Sequence, residues 1–334
     1  MSDREIAGFL ATVPLFEGWA EADLNELANV ARRRTPREGE ILWRQGDDAR
    51  EMAVVVEGGL AATLRGAGDR AHVIGRAGPR DVVGEIGLLD GGTHSMTVEV
   101  TQDATLLILG KQDITALLAS GHPAAFSLKR RLAQVFAERL RNQLRHLAGT
   151  TAEGVDAPRN AQVPMPADLE ECRPPDSAYV RRMASFHEFD PAALWGFLTS
   201  GTYARCAAGR TLVTEGSPSP ACFLTINGAV EKVIVRADRR VRVGLAGPGK
   251  AFGYEGLIDG RPSPITAITR ERVLLLVLPA DPFRQLFNSE DAVSRVFLDV
   301  IQRDLVATLR QTLNPFARRT WPSDAETGLS LRPG

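Results

Sequence analysis

The sequence predicts a mainly β protein with helices, built as two copies of one closed sandwich or jelly-roll barrel, each flanked by helices. Three observations carry this. First, Gly39-Glu40-Ile41-Leu42, Gly46 and Val56-Glu57-Gly58 recur about 170 residues later as Gly209-Arg210-Thr211-Leu212, Gly216 and Ile226-Asn227-Gly228, a spacing that makes the repeat a whole domain. Second, Gly84-Glu85-Ile86-Gly87-Leu88-Leu89-Asp90-Gly91 answers to Gly253-Tyr254-Glu255-Gly256-Leu257-Ile258-Asp259-Gly260. Third, each copy is a series of short apolar runs punctuated by glycine, the pattern of a closed all-β architecture.

Residues 1–148 form the first domain. Leu24, Leu27 and Val30 lie at helical spacing after Pro14-Leu15-Phe16. Strands are predicted at 41–43, 52–56, 60–64, 72–74, 82–83, 95–100 and 104–109. Gly58-Gly59 reads as a hairpin, because glycine supplies the positive φ of such turns. A short helix over 112–118 precedes a long one over 123–147, with Phe136, Leu140, Leu144 and Leu147 along one stripe. Residues 149–178 lose periodicity and gather prolines, so they read as a linker. The second domain, 179–313, has strands at 210–214, 222–226, 230–235, 241–245, 265–268 and 273–278, and a helix over 292–313. The tail, 314–334, carries no apolar pattern and is expected to be disordered.

At 334 residues there is room for two cores, and a net charge of −1 with 44% hydrophobic residues describes a soluble globular protein. That balance points to neither a nucleic-acid nor a membrane surface. Lys129, Arg130, Arg131, Arg139, Arg141 and Arg145 make the long helix basic; a solvated helix face is preferred to a nucleic-acid surface. Met1–Glu5 has no apolar signal core, and no run approaches the roughly 18 apolar residues of a membrane span. Cys172, Cys206 and Cys222 show no disulfide or metal spacing, which fits a reducing cytosol. A cytoplasmic protein is expected. No nucleophile–base pair or Walker-type loop gives an enzyme reading an anchor, and no cofactor or metal is expected.

The order of helix, barrel, G-E-[IL]-[AG]-L-L-x-G segment and closing helices resembles the cyclic nucleotide-binding domain of bacterial catabolite activator-type regulators and of cyclic-nucleotide-dependent kinase regulatory subunits. The resemblance covers nearly all of residues 5–147 and 180–313. It implies a glutamate that accepts from the ribose 2′-hydroxyl and an arginine, in a P-R-[AS]-A run, that pairs with the phosphodiester. In the first copy Glu85 falls on the ribose position, Gly84, Ile86 and Gly87 offer amides, and Thr93-His94-Ser95 replaces the arginine run. His94 and Ser95 are then the remaining phosphate ligands, and His94 contributes charge only when protonated, near pH 6.5 for an unperturbed imidazole. The bland alternatives are a capping carboxylate for Glu85 and an exposed loop position for His94. In the second copy Gly253 is kept, but Tyr254 stands at the glutamate position and Ser263 at that of the arginine. Glu255 falls one position late and Arg261 two early.

A charge-assisted hydrogen bond contributes roughly 1.5–3 kcal/mol, so losing the arginine weakens binding about 10- to 100-fold. The first copy is therefore expected to bind a cyclic nucleotide (cyclic AMP or cyclic GMP) weakly, or a related phosphate ligand, and the second to bind none. The function expected is regulatory: ligand in the first barrel shifts the helix over 123–147 and so changes an unidentified protein partner or a homodimer seam. The alternatives are a ligand-free interaction scaffold and a transcription regulator lacking a DNA-binding domain.

Overall fold

The computed structural model describes residues 1–65, 71–90, 92–119, 123–147, 165–176, 179–180, 183, 186–236, 239–318 and 329–330. The chain divides into two units, Met1–Gln143 with Leu313–Gly334, and Leu144–Thr312.

In the first unit, α1 (Asp3–Leu10) opens on a reciprocal cap, with Ser2 N donating to Glu5 Oε2 at 2.6 Å and Glu5 N to Ser2 Oγ at 3.4 Å. A 3-10 turn (Pro14–Phe16) and α2 (Glu21–Val30) follow. The strands are β1 (Arg32–Arg34), β2 (Ile41–Trp43), β3 (Glu51–Arg65), β4 (Ala71–Ala77), β5 (Val82–Val83) and β6 (Thr97–Gly110), with α3 (Glu85–Asp90) before β6. They form one sheet in the order β1-β6-β3-β4, with β2 also on β6 and β5 on β3. Its inward residues, including Val55, Leu60, Val100 and Leu106, make the barrel core. Helices α4 (Lys111–Ala119) and α5 (Pro123–Leu147) close the copy.

The second unit holds β7 (Glu170–Cys172), α6 (Pro191–Leu198), β8 (Thr202–Cys206), β9 (Thr211–Val213), β10 (Ala221–Asn227), β11 (Val230–Arg236), β12 (Arg239–Ala246) and β13 (Ala251–Phe252). After these come α7 (Glu255–Asp259), β14 (Thr266–Thr269), β15 (Val273–Pro279), α8 (Ala280–Asn288) and α9 (Ala292–Arg318). Two sheets, β13-β10-β15-β8-β7 and β12-β11-β14-β9, face a core that includes Phe223 stacked on Phe252 with centroids 5.1 Å apart.

Several expectations need correction. Gly58-Gly59 is not a hairpin: β3 runs straight through it, with its pairing to β6 shifting register between Val55 and Leu60. Gly58 has φ +87°, and a Cβ there would lie 2.3 Å from the Asp103 carbonyl oxygen, so the glycine lets the strand bend against β6. Within the expected linker, Glu170–Cys172 pairs antiparallel with Tyr203–Arg205, while residues 148–164 lie outside the described residues. The last helix continues to Arg318, and Leu329–Ser330 (β16) lies parallel to Gly75–Arg76; most of the remaining tail lies outside the described residues.

The basic face of α5 is not a solvated one. Lys129, Arg139 and Arg141 are buried. Phe136, Leu140 and Leu144 are also buried; the Leu147 side chain lies outside the described residues.

Candidate functional site

The first cassette hangs on the turn between β5 and α3. Gly84 takes φ +88°, and a Cβ there would crowd the Trp43 ring and the Glu51 carbonyl oxygen at 3.0 Å, so glycine lets the turn pass under β2. Glu85, only 2% exposed, begins α3 and points inward. The following loop is stitched to the 44–49 turn: His94 N donates to Asp47 O at 2.8 Å, and Gly46 N to His94 O at 2.9 Å. This seats the imidazole flat on Trp43, with centroids 4.5 Å apart and planes 8° from parallel. His94 is 5% exposed, which corrects the reading of an exposed loop histidine.

Gly84, Glu85, Ile86, Gly87, His94 and Ser95, the residues expected from the sequence, converge on one cavity of about 40 Å³. Trp43, Val83, Met96 and Val98 give it apolar walls. One further residue reaches it from α5: Arg139 forms a buried ion pair with Glu85 Oε1, and its Nη2 donates to Val82 O at 3.3 Å. The phosphate arginine is missing from the cassette, yet a guanidinium stands in the cavity. Glu85 Oε2 and Ser95 Oγ are buried there with no hydrogen-bond partner among the described residues.

The second cassette is built differently. With the repeat register carried into the closing helices, Pro123 against Ala292, Ala62 corresponds to Lys232, Glu85 to Tyr254, Val135 to Asp304 and Arg139 to Thr308. All four second-copy residues are buried. Lys232 Nζ donates to Asp304 Oδ2 at 3.0 Å and to Thr308 Oγ1 at 2.7 Å, and the Tyr254 hydroxyl donates to Asp304 Oδ2 at 2.5 Å. Ala62, by contrast, lines the cavity of the first barrel. The Tyr254 hydroxyl is held far above its ordinary range, first by burial and then by the charges of Asp304 and Glu255. Burial, with the same two carboxylates, also raises the Cys222 thiol. Ser263 is turned inward, its Oγ donating to Ile265 O at 2.9 Å. Glu255 is fully buried, Arg261 is half-buried, and Gly253 keeps its positive φ of 78°. The second site is occupied by its own side chains.

Both cassettes lie in or beside segments that match one family description, cyclic nucleotide-binding domain, over residues 33–120 and 203–290, together just over half of the chain. The chain belongs to the cyclic nucleotide-binding domain family. Among similar proteins is a cyclic AMP receptor protein of Thermus thermophilus, 29% identical over 125 residues, 36% of this chain and 58% of that protein. A putative potassium channel protein of Rhodopseudomonas palustris is 32% identical over 110 residues, 33% of this chain and 26% of the channel. The chain thus spans well under two thirds of these relatives' own lengths. Among solved structures, the N-terminal domain of a Streptomyces coelicolor transcriptional regulator is 25% identical, covering 44% of this chain and 99% of that one, at a TM-score of 0.35. The Toxoplasma gondii protein kinase A regulatory domain with cyclic AMP is 17% identical, covering 86% and 93%, at a TM-score of 0.34.

Within this family framework, the sequence identified the cassette residues but missed Arg139, Lys232, Asp304 and Thr308. The signal for Lys232 and Asp304 was available: a lysine stands at an alanine position of the other copy, and Asp304 interrupts the apolar stripe of α9. Among the described residues no helix is long and apolar enough to cross a membrane, and no group of three His, Cys, Asp or Glu residues could hold a metal.

Proposed function

We propose that the chain is a non-enzymatic, cytoplasmic regulatory protein whose first barrel senses a cyclic nucleotide or related phosphate ester, and whose second barrel binds no ligand. The observation that carries this is the pair of buried, unpartnered acceptor and hydroxyl atoms, Glu85 Oε2 and Ser95 Oγ, in the cavity that also holds the Arg139 guanidinium. Leaving a buried polar group unpaired costs about 1–3 kcal/mol, and a ligand hydroxyl and phosphate oxygens would satisfy both. The signal passes to α5, because Arg139 lies on that helix, and from there to a protein partner. Burial of Phe136, Leu140 and Leu144 in one chain favours this route over a homodimer seam along that stripe.

A specific observation favours a second reading, the ligand-free scaffold. A cavity of about 40 Å³ is far below the roughly 300 Å³ of ordinary ligand sites, so a nucleotide enters only if the Glu85–Arg139 pair parts. Calorimetric titration of the full chain with cyclic AMP, cyclic GMP and cyclic dinucleotides separates the two. The sensor reading expects heat from at least one of them, lost in Glu85→Ala. The scaffold reading expects none at millimolar ligand.

A further inference from the structure

A cavity of about 390 Å³ lies at the rim of the first barrel, against about 40 Å³ for the cassette cavity. It is lined by Arg32, Arg50, Gly110, Lys111, Gln112 and Asp113, none of which lines the cassette cavity. Backbone pairing gathers these residues from three segments. Arg32 of β1 lies opposite Ile108 of β6, Glu51 of β3 lies opposite Gly110, and Lys111 N donates to Arg50 O at 2.8 Å. Gly110 gives the charges room, since a Cβ there would stand 2.8 Å from Asp113 Oδ2 and 3.3 Å from Arg32 Nη2. Three cations thus face a single carboxylate. Asp113 belongs to the first turn of α4, where a helix favours negative charge. Arg50 also meets Asp48 at 3.3 Å, but both are largely exposed, and so solvated a pair contributes little.

The second copy is built without this charge. The pairings Arg32 with Ile108 and Glu51 with Gly110 recur there as Thr202 with Val277 and Ala221 with Pro279. In that register Thr202, Pro220 and Ala280 stand where the first copy has Arg32, Arg50 and Lys111, and Pro279 stands for Gly110. The second barrel folds with none of the three cations, which points away from a structural duty for them in the first.

We propose that this rim cavity is a ligand site separate from the cassette, taking a small phosphorylated organic molecule, a phosphate monoester, held by Arg32, Arg50 and Lys111. Charge and volume carry the choice of ligand. Three cations less one carboxylate leave two positive charges, and a phosphate monoester carries about −1.5 to −2 at pH 7. The volume lies within the range of roughly 300–1,000 Å³ of ordinary ligand sites, so it holds an organic group beside the phosphate. Guanidinium forks match phosphate oxygens two at a time, and the lysine ammonium adds a point charge.

The test is an amide NMR titration of the full chain with glucose 6-phosphate, glucose 6-sulfate and glucose, at low ionic strength because salt screens exposed charges. We expect glucose 6-phosphate to move the Gly110, Lys111, Gln112 and Asp113 amides and glucose to move none of them. The sulfate ester, with one charge fewer, should bind at least about 5-fold more weakly. Arg32→Gln and Lys111→Gln should each weaken glucose 6-phosphate about 5- to 10-fold, whereas Arg33→Gln, on the opposite face of β1, should leave it within about 2-fold. Arg32 and Arg33 are exposed and Lys111 half-buried, so the variants keep the fold, and the rest of each spectrum reports it. Shifts confined to the Gly84–Gly87 amides would place the phosphate in the cassette and overturn the proposal. Equal losses in the Arg32 and Arg33 variants would reduce the effect to diffuse surface charge, and equal binding of the two esters would remove the charge match; either overturns it. So would unmoved Gly110–Asp113 amides at millimolar glucose 6-phosphate.

Discussion

Lys232 and Arg139 show how single side chains give two copies of one barrel opposite characters. In the second copy the cation comes from the sheet and the carboxylate, Asp304, from the closing helix; in the first the cation, Arg139, is on the closing helix and the carboxylate, Glu85, on the cassette helix α3. Removing the ammonium from a buried pair leaves an uncompensated charge, so Lys232→Met should cost about 3–5 kcal/mol, while Lys232→Met/Asp304→Leu should recover most of it. Urea denaturation of the two variants decides this; equal losses would contradict the pairing. The buried tyrosines set an alkaline limit. Burial pushes Tyr203 up to about 12, and its hydroxyl donates to Leu198 O at 3.0 Å; Tyr254 is raised as well. Both ionise near pH 10 in the unfolded chain. A raised folded pKa means that their contribution is complete below about pH 10 and, for Tyr203, is lost as pH rises through about 12. Phenolate absorbance from these two tyrosines should therefore appear with unfolding, and their ionisation near pH 10 in the folded chain would contradict their placement. Glu85 was legible in the sequence because the cassette pattern surrounds it. Arg139 was not, because it lies 54 residues away in a helix whose repeated basic residues look solvated.

At the scale of elements, alternating apolar runs revealed most strands, and the long helix was placed at its observed ends. Strands without such alternation escaped notice. Arg32–Arg34 is a run of three arginines, and Glu170–Cys172 sits among prolines; each is held by pairing with a neighbour rather than by its own side chains. Glycine punctuation was misread at Gly58 because a bend within a strand and a turn between strands make the same demand for positive φ. The two differ in what surrounds the glycine. Gly58→Ala combines about 1–2 kcal/mol of backbone strain with a contact 2.3 Å from Asp103 O, whereas Gly46→Ala has the same strain and open space. We expect Gly58→Ala to lose more than about 2 kcal/mol and Gly46→Ala to lose about 1–2 kcal/mol. Matching denaturation midpoints for the two variants would mean that the bend tolerates a side chain.

For the whole molecule, duplication has separated roles that a single barrel would have to combine. The first copy retains a cavity, an unpartnered carboxylate oxygen and a cation on its closing helix. In the second, Lys232 of the sheet is bonded to Asp304 and Thr308 of α9. The repeat made the two-copy plan legible, and Tyr254 and Ser263 stand where the first cassette has Glu85 and His94. How Lys232, Tyr254 and the Asp304–Thr308 pair meet was not legible, because they come from three separate segments. The central claim is that one barrel binds and the other does not, and the number of cyclic AMP molecules bound per chain by calorimetry tests it most directly. The account predicts one, abolished by Glu85→Ala and kept in Lys232→Met/Asp304→Leu; two sites per chain, none, or one that survives Glu85→Ala would contradict it.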